Sequence, residues 1–192
     1  MSKNYPVHEI SYKDRIGLDY YSYREKPGLN WKISDEKQQI GSYNCQKATT
    51  QFGDRQWIAW FTSDIPFQDG PYKFYGLAGL IIKIEDDAGN YAWVLKGNRK
   101  TERIAESSYR EGFMSRTGIS VSKEISKEKF TEKYNEYKKN PFAGMRQMMN
   151  QIPAGAQPSD RLSVSKEMRE AEKEMKEKLD RFNNSIELSV TK

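Results

Sequence analysis

The first half of the chain shows the alternation of apolar and polar positions that is typical of β-strands. Residues 16–25 hold three tyrosines ahead of the Pro27-Gly28 turn, which predicts a strand. Further strands are predicted at 29–33, 40–52, 57–62, 80–85 and 91–96. Gly53-Asp54 and 86–90 carry the turn residues that close hairpins, whereas 64–75 contains two prolines and is predicted to be irregular.

The second half has helical spacing. Ser126 is suited to cap a helix that carries three apolar residues on one face, ends at Asn140 and is followed at once by a second amphipathic helix up to Ile152. A loop is predicted at 153–163, before a long helix with a near-heptad stripe. The stripe consists of Val164, Met168, Ala171, Met175, Leu179 and Phe182. A final strand is predicted at 186–190, and 97–120 has no clear pattern.

These elements predict an α+β fold in one domain of 192 residues. Residues 1–98 form its β-rich part and 99–192 its mainly helical part. We expect a curved antiparallel sheet in the first half, with the C-terminal helices packed on or beside it. The half-barrel shape rests on analogy with lipid carriers of the bacterial envelope.

The charge pattern bears on partners. The formal net charge is +5, but cations alternate with glutamates in the last helix, as in the i,i+4 pair of Glu172 and Lys176. This spacing is typical of a solvated helix face, so we expect no nucleic-acid partner. No apolar run reaches the roughly 18 residues that a membrane-spanning helix requires, so no membrane span is predicted.

The composition limits catalytic chemistry. With His8 as the only histidine and Cys45 as the only cysteine, neither a serine-histidine triad nor a zinc site is expected, and we predict no metal and no cofactor. Cys45 is predicted to be a free, buried thiol. Met145, Met148 and Met149 have the spacing of core packing or an adaptable groove rather than of a copper site.

Carboxylates are the remaining catalytic candidates. Asp64 and Asp69 flank the Ile65-Pro66 turn, and Asp86 and Asp87 share another turn. Such residues suit a hydrolytic carboxylate pair or a weak calcium site. Hydrogen bonding to their own turns explains them more simply.

Aromatic residues are the more promising binding candidates. They gather near predicted strand ends and the loop at 70–79, where they either line a ligand cavity or form the core, the second being the simpler interpretation. The candidate ligand- or partner-binding residues are Trp31, Trp57, Trp60, Tyr72, Phe74, Tyr75, Gly76, Leu77, Gly79 and Trp93.

Three segments between Trp31 and Leu95 carry a family resemblance. They read IGSYNCQKA at 40–48, FGDRQWIAWFTSDIPFQDGPYKF at 52–74 and GLAGLI at 76–81. In this order they resemble the GLPGLI family of secreted or cell-envelope bacterial proteins, with Ala78 in place of the motif proline. The resemblance implies a periplasmic, envelope or secreted location with the signal sequence removed, but no established activity.

Three functions follow as hypotheses. The first is a non-catalytic envelope protein that binds an apolar or peptide ligand, or docks on an outer-membrane protein through the loop at 70–79. The second is a secreted hydrolase with a carboxylate pair. The third is a homodimer formed through the stripe of the long C-terminal helix.

Overall fold

The computed structural model describes residues 1–5, 7–99, 122–150, 158–181 and 186–187, including side chains except at 149–150 and 158–165. The strands are β1 (Ser2–Asn4), β2 (Glu9–Ile16), β3 (Asp19–Glu25), β4 (Lys32–Ile40), β5 (Tyr43–Phe52), β6 (Arg55–Thr62), β7 (Leu80–Asp86), β8 (Ala92–Val94) and β9 (Lys123–Glu124). The helices are α1 (Lys127–Lys139), α2 (Ala143–Asn150) and α3 (Pro158–Arg181).

The strands form two sheets. A four-stranded sheet has the order β1, β2, β3, β9, with β9 parallel to β3, and a five-stranded antiparallel sheet runs from β4 to β8 in chain order. The predicted α+β class, with antiparallel strands first and helices last, is therefore confirmed. The single curved sheet that the sequence predicts is instead divided into two sheets. The division occurs at 26–31, where the chain passes from one sheet to the other without strand pairing.

The N-terminal hairpin extends the predicted strand at 16–25. Gly17 has a φ of 64° and begins the turn that reverses the chain, so that β2 precedes β3 in the hairpin. Sequence reasoning missed β2 because its three exposed charged residues, Lys13 to Arg15, interrupt the apolar alternation.

The inner face of the five-stranded sheet carries the larger core. Trp57, Ala59 and Phe61 alternate along β6 and are buried, and the β6–β7 loop covers them with Phe74 and Leu77. The Trp57 and Phe74 rings lie 4.7 Å apart, and such aromatic pairs contribute more than their buried area alone. The loop at 63–79 is thus part of the core although it has little regular structure.

Helix α1 forms a second core with the four-stranded sheet. Phe130 is buried against Tyr23 and Tyr12, with ring centroids 5.0 and 5.6 Å away. The Ser126 side chain accepts a hydrogen bond from the backbone N–H of Lys129, and the helix gives way to the cap residue Asn140. Both predicted ends are confirmed.

The second and third helices are present, but α3 begins at Pro158, inside the loop predicted at 153–163, because proline is tolerated in the first turn of a helix. Helix α2 begins at Ala143, two residues after Pro141, and an ion pair of 2.5 Å joins Arg146 to Glu172 on α3. In the stripe of α3, Met168, Met175 and Leu179 are half-buried and Ala171 is exposed. The side chains of Val164 and Phe182, the segment at 101–121 and most of the predicted last strand lie outside the described residues; its first two residues, 186–187, form a bend. None of the described helices combines the length and hydropathy needed to span a membrane.

Candidate functional site

The loop between β6 and β7 holds the two sheets together. Asp69 binds Lys3 of β1 at 2.6 Å, and the Tyr75 hydroxyl donates to the Pro27 carbonyl oxygen at 2.6 Å. Trp31 donates its indole N–H to the Tyr75 carbonyl oxygen at 2.8 Å. Because these bonds connect residues far apart in the chain, the loop has a fixed position on the inner face of the five-stranded sheet.

A buried charged cluster surrounds Tyr72 and Lys73 of this loop. The Lys73 side chain is fully buried and forms ion pairs with Glu25 and Glu187, and Lys127 contacts the same two carboxylates at 2.7 and 2.8 Å. Tyr72 donates to Glu187 at 2.6 Å. The two lysines and two glutamates neutralise each other, which is the condition for burying charges at tolerable cost.

The titration of the cluster follows from these contacts. Burial alone raises the pKa of Glu187, but hydrogen bonds from Lys127, Lys73 and Tyr72 outweigh burial and lower that pKa below its ordinary value of 4.5. Burial and the hydrogen bond to Glu187 raise the pKa of Tyr72, so its hydroxyl stays protonated and donates. We assign this cluster a structural role, because Lys73 at its centre has no exposure to a ligand.

An apolar cleft lies beside residues 69–71 of the same loop. It has a volume of about 340 Å³ and lies between the 69–71 segment, β7 and β8. Its walls are Asp69, Gly70, Pro71, Leu80, Ile81, Ile82, Trp93, Val94, Leu95 and Lys96. Asp69 and Lys96 are the charged members, and Asp69 is already neutralised by Lys3. We call it the Trp93 cleft.

Packing fixes the walls of the cleft. Trp93 stacks on the buried Trp57 with 5.8 Å between ring centroids and on Tyr91 with 5.7 Å. Ile81 is buried, and a Cβ atom at Gly70 would come within 2.6 Å of its Cδ1 atom. The absence of a side chain at Gly70 therefore lets the loop approach β7 and form the cleft.

The structure separates the residues that sequence reasoning grouped as a binding site. Trp93 lines the cleft, while Trp57, Phe74 and Leu77 lie in the core, which was the alternative interpretation. Trp60 is half-buried on the opposite face of the sheet, between Lys47 and Lys83 in register.

The other candidates surround the loop. Trp31, Tyr72 and Tyr75 use their polar atoms for the bonds given above, and Gly76 is exposed with a φ of 90°. A Cβ atom at Gly79 would overlap the Thr62 carbonyl oxygen, so Gly79 allows two backbone segments to touch. These residues position the loop and do not line the cleft.

Sequence reasoning missed most of the cleft walls. Ile81, Ile82, Val94 and Leu95 belong to strands that were predicted, but the register shift between β6 and β7 at Trp60 and Phe61 decides which of them face the cleft. The apolar run Trp93 to Leu95, at the end of a short strand, was the signal that could have revealed it.

Two wider clefts lie elsewhere. One of about 550 Å³ lies between the β2–β3 turn and the junction of α1 and α2, and one of about 690 Å³ surrounds the turn at Gly53. Both have polar and charged residues in their walls, including Lys133 and Glu136 in the first and Arg55 and Asp87 in the second. Apolar ligand groups therefore fit the Trp93 cleft best.

The described residues offer few side chains that are suited to catalysis or metal binding. Asp69 is held by Lys3, and Asp64 is exposed. Cys45 is buried and free, as predicted, and burial raises the pKa of its thiol. No cluster of three or more histidine, cysteine or acidic side chains with metal-binding geometry occurs in the part of the chain that the structure describes.

Residues 50–83 match the model of a family described as "Protein of unknown function (Porph_ging)". The matched stretch runs from the end of β5 through the β6–β7 loop into β7, and it contains Gly70, Pro71 and the isoleucines of the cleft. One wall of the Trp93 cleft therefore lies within the matched residues. No curated protein sequence matches the chain.

The chain is also similar to solved structures of PNGF-II. For the structure in the C2 space group the TM-score is 0.45 with 16% identity, covering 69% of this chain and 24% of that chain. For the structure in the P21 space group the TM-score is 0.44 with 15% identity, covering 69% and 23%. The chain thus spans about a quarter of the length of these solved chains.

Proposed function

We propose that the chain is a non-catalytic binding protein that holds an apolar group of its ligand in the Trp93 cleft. The observation that carries the proposal is the cleft itself, an apolar cavity of about 340 Å³ with Asp69 and Lys96 as the charged residues of its walls. Such a cavity excludes water from an apolar group and leaves Asp69 and Lys96 to orient the rest of the ligand.

The rigidity of the walls supports binding. Trp93 stacks on both Trp57 and Tyr91, and the opposite wall is held by the bond from Lys3 to Asp69. A cavity that exists before the ligand arrives avoids part of the entropy cost of ordering side chains on binding.

The GLPGLI resemblance adds a location to the proposal. It implies that the protein acts in the cell envelope or outside the cell, where an apolar or peptide ligand or an outer-membrane protein is the expected partner. Fractionation of the producing cells, with the chain followed by an antibody, tests the location directly.

The two alternative functions remain predictions. For the hydrolase, the bond between Lys3 and Asp69 leaves one member of the carboxylate pair neutralised. For the homodimer, the stripe of α3 is half-buried at Met168 and Met175 in the single chain. Sedimentation of the chain truncated after Gln157 tests this alternative, because loss of a dimer with retention of the fold identifies α3 as the seam.

The proposal is tested by native mass spectrometry of the protein purified from the cells that make it. We expect an adduct that disappears on denaturation and whose mass identifies the ligand. Trp93→Ala removes one wall and should lose the adduct. Trp60→Ala removes the same side chain on the opposite face of the sheet and should keep it.

Circular dichroism of both variants establishes that they are folded. A folded Trp93→Ala variant that retains the full adduct would show that the ligand binds elsewhere. A bare wild-type chain that also fails to bind apolar probes would remove the proposed function.

A further inference from the structure

We propose that the ligand is an extended segment of a partner protein that adds to the five-stranded sheet as a sixth strand beside β8. One apolar side chain of this segment enters the Trp93 cleft, and an acidic residue faces the basic end of the strand. The inference rests on the proposed function, since the same cleft receives the segment, and it adds the class of the partner.

Among the described residues, none pairs with the side of β8 that faces away from β7. Leu95 donates its N–H to the Ile82 carbonyl oxygen at 2.8 Å, and the Tyr91 carbonyl oxygen accepts from Asp86 at 3.0 Å. In an antiparallel ladder, successive residues direct their backbone groups to opposite sides. The backbone N–H and C=O groups of Tyr91, Trp93 and Leu95 therefore point toward β7. Those of Ala92 and Val94 point away from β7.

The two edges of the sheet differ in their protection. At β4, the exposed charges of Asp35 to Lys37 and a register shift between Ile33 and Lys37 disfavour pairing with another chain. At β8 the sequence is Ala92-Trp93-Val94, without charge, and Val94 is 43% exposed. Natural sheets discourage pairing at their edges, so an uncharged edge beside an apolar cleft favours strand addition.

The geometry of pairing places a side chain in the cleft. Residues directly opposite each other on paired strands project to the same face of a sheet. The partner residue opposite Trp93 therefore projects to the face of the cleft, and its neighbours, opposite Ala92 and Val94, project to the outer face. A cavity of about 340 Å³ accommodates one large aliphatic or aromatic side chain.

Charge selects the flanking residue. Lys96 and Arg99 follow β8, are exposed, and form no ion pair in the part of the chain that the structure describes. Nearby, Asp69 is neutralised by Lys3 and Glu85 is paired with Lys83 at 2.8 Å. The net positive charge after β8 favours an acidic residue in the bound segment. Because salt screens this attraction, the affinity for the segment should fall when salt is added.

The probes are synthetic eight-residue peptides of alternating threonine and valine with one central leucine. One set carries two glutamates at either end and a matched set carries two lysines. Amide hydrogen exchange of the wild-type protein is followed with and without peptide. We expect protection at Ala92 and Val94 with the acidic peptides, and weaker binding of the basic ones.

Ala92→Pro separates strand addition from binding in the cleft, because Ala92 does not line the cleft. Proline removes an outward N–H that β7 does not use, and proline is tolerated on an edge strand. Peptide affinity should fall about tenfold or more. Ala92→Ser keeps the N–H and a small side chain and should bind like the wild type. The apolar dye 1-anilinonaphthalene-8-sulfonate should still enter the cleft of both variants and lose affinity only in Trp93→Ala.

The outcomes are distinguishable. Equal peptide affinity of Ala92→Pro and wild type, or peptide binding without protection at Ala92 and Val94, overturns strand addition and leaves the cleft intact. Protection of these amides in a peptide-free dimer shows that a second copy occupies the edge and overturns the partner assignment. Absence of dye binding that depends on Trp93 overturns the proposed function itself.

Discussion

Replacement of Glu187 by glutamine tests the role of the buried charged cluster. The substitution keeps the size of the side chain and an oxygen that accepts from Tyr72, but removes one negative charge beside the fully buried Lys73. The cluster then holds two cations and the single carboxylate of Glu25. Removing one partner of a buried ion pair costs about 3 kcal/mol or more, because the remaining charge stays buried.

The assay is thermal unfolding followed by circular dichroism. A loss of about 3 kcal/mol in the free energy of unfolding corresponds to a thermal midpoint about 6 to 12 °C lower for a chain of this size. Lys73→Met in the Glu187→Gln background restores neutrality, and we expect it to recover at least about 1 kcal/mol relative to the sum of the single variants. Glu36→Gln, which alters the exposed pair with Lys47, is the control and should change stability by less than about 0.5 kcal/mol.

The pH dependence gives a second measure. Because the folded-state pKa of Glu187 is lowered, its contribution to stability is complete above the ordinary value of 4.5 and is lost as the pH falls through the folded-state pKa. The difference between wild type and Glu187→Gln should therefore be constant near neutrality and shrink in acid. A variant as stable as the wild type at pH 7, or strictly additive effects of the two substitutions, would refute the reasoning.

The remaining predictions concern three other sites. Asp86→Asn replaces a fully buried carboxylate that accepts hydrogen bonds from Arg55, Asn90 and Tyr91. The free energy of unfolding in urea should fall by about 2 kcal/mol or more; an unchanged midpoint would contradict this. Cys45 should react with a thiol reagent more slowly in the native protein than in the guanidinium-unfolded chain, because its thiol is buried and its pKa raised; equal rates would show that the strand opens readily. Gly79→Ala should cost about 3 kcal/mol or leave the protein insoluble, because the new Cβ atom overlaps the Thr62 carbonyl oxygen, whereas Gly28→Ala, which meets nothing within 4 Å, should have little effect.

The sequence predicts the hairpins of the five-stranded sheet because local residues specify them. Gly53 and Asp54 both adopt positive φ, as the turn between β5 and β6 requires, and Gly89 does so in the turn before β8. Ser126 and Asn140 mark the ends of α1 for the same kind of local reason. These features need no knowledge of distant parts of the chain.

Long-range contacts explain what the sequence does not predict. Lys73 lies in a loop, where a lysine is normally exposed, and its burial depends on Glu187, 114 positions away. The Trp93 cleft likewise depends on how the segment at 69–71 approaches Ile81. Trp93 is a candidate from the sequence because aromatic residues gather near predicted strand ends, whereas the aliphatic walls look like any other core residues.

The strand order of the larger sheet has a consequence for the folding route. Each strand from β4 to β8 pairs with the next one in the chain, through connections that are short except for the loop at 63–79. Contacts of low sequence separation form at small entropic cost and therefore early. The ion pair of Lys73 with Glu187 closes a far longer loop. Because closing a long loop costs more entropy, we expect this pair to form after the rate-limiting step of folding. We therefore expect Glu187→Gln to accelerate unfolding and leave the refolding rate nearly unchanged.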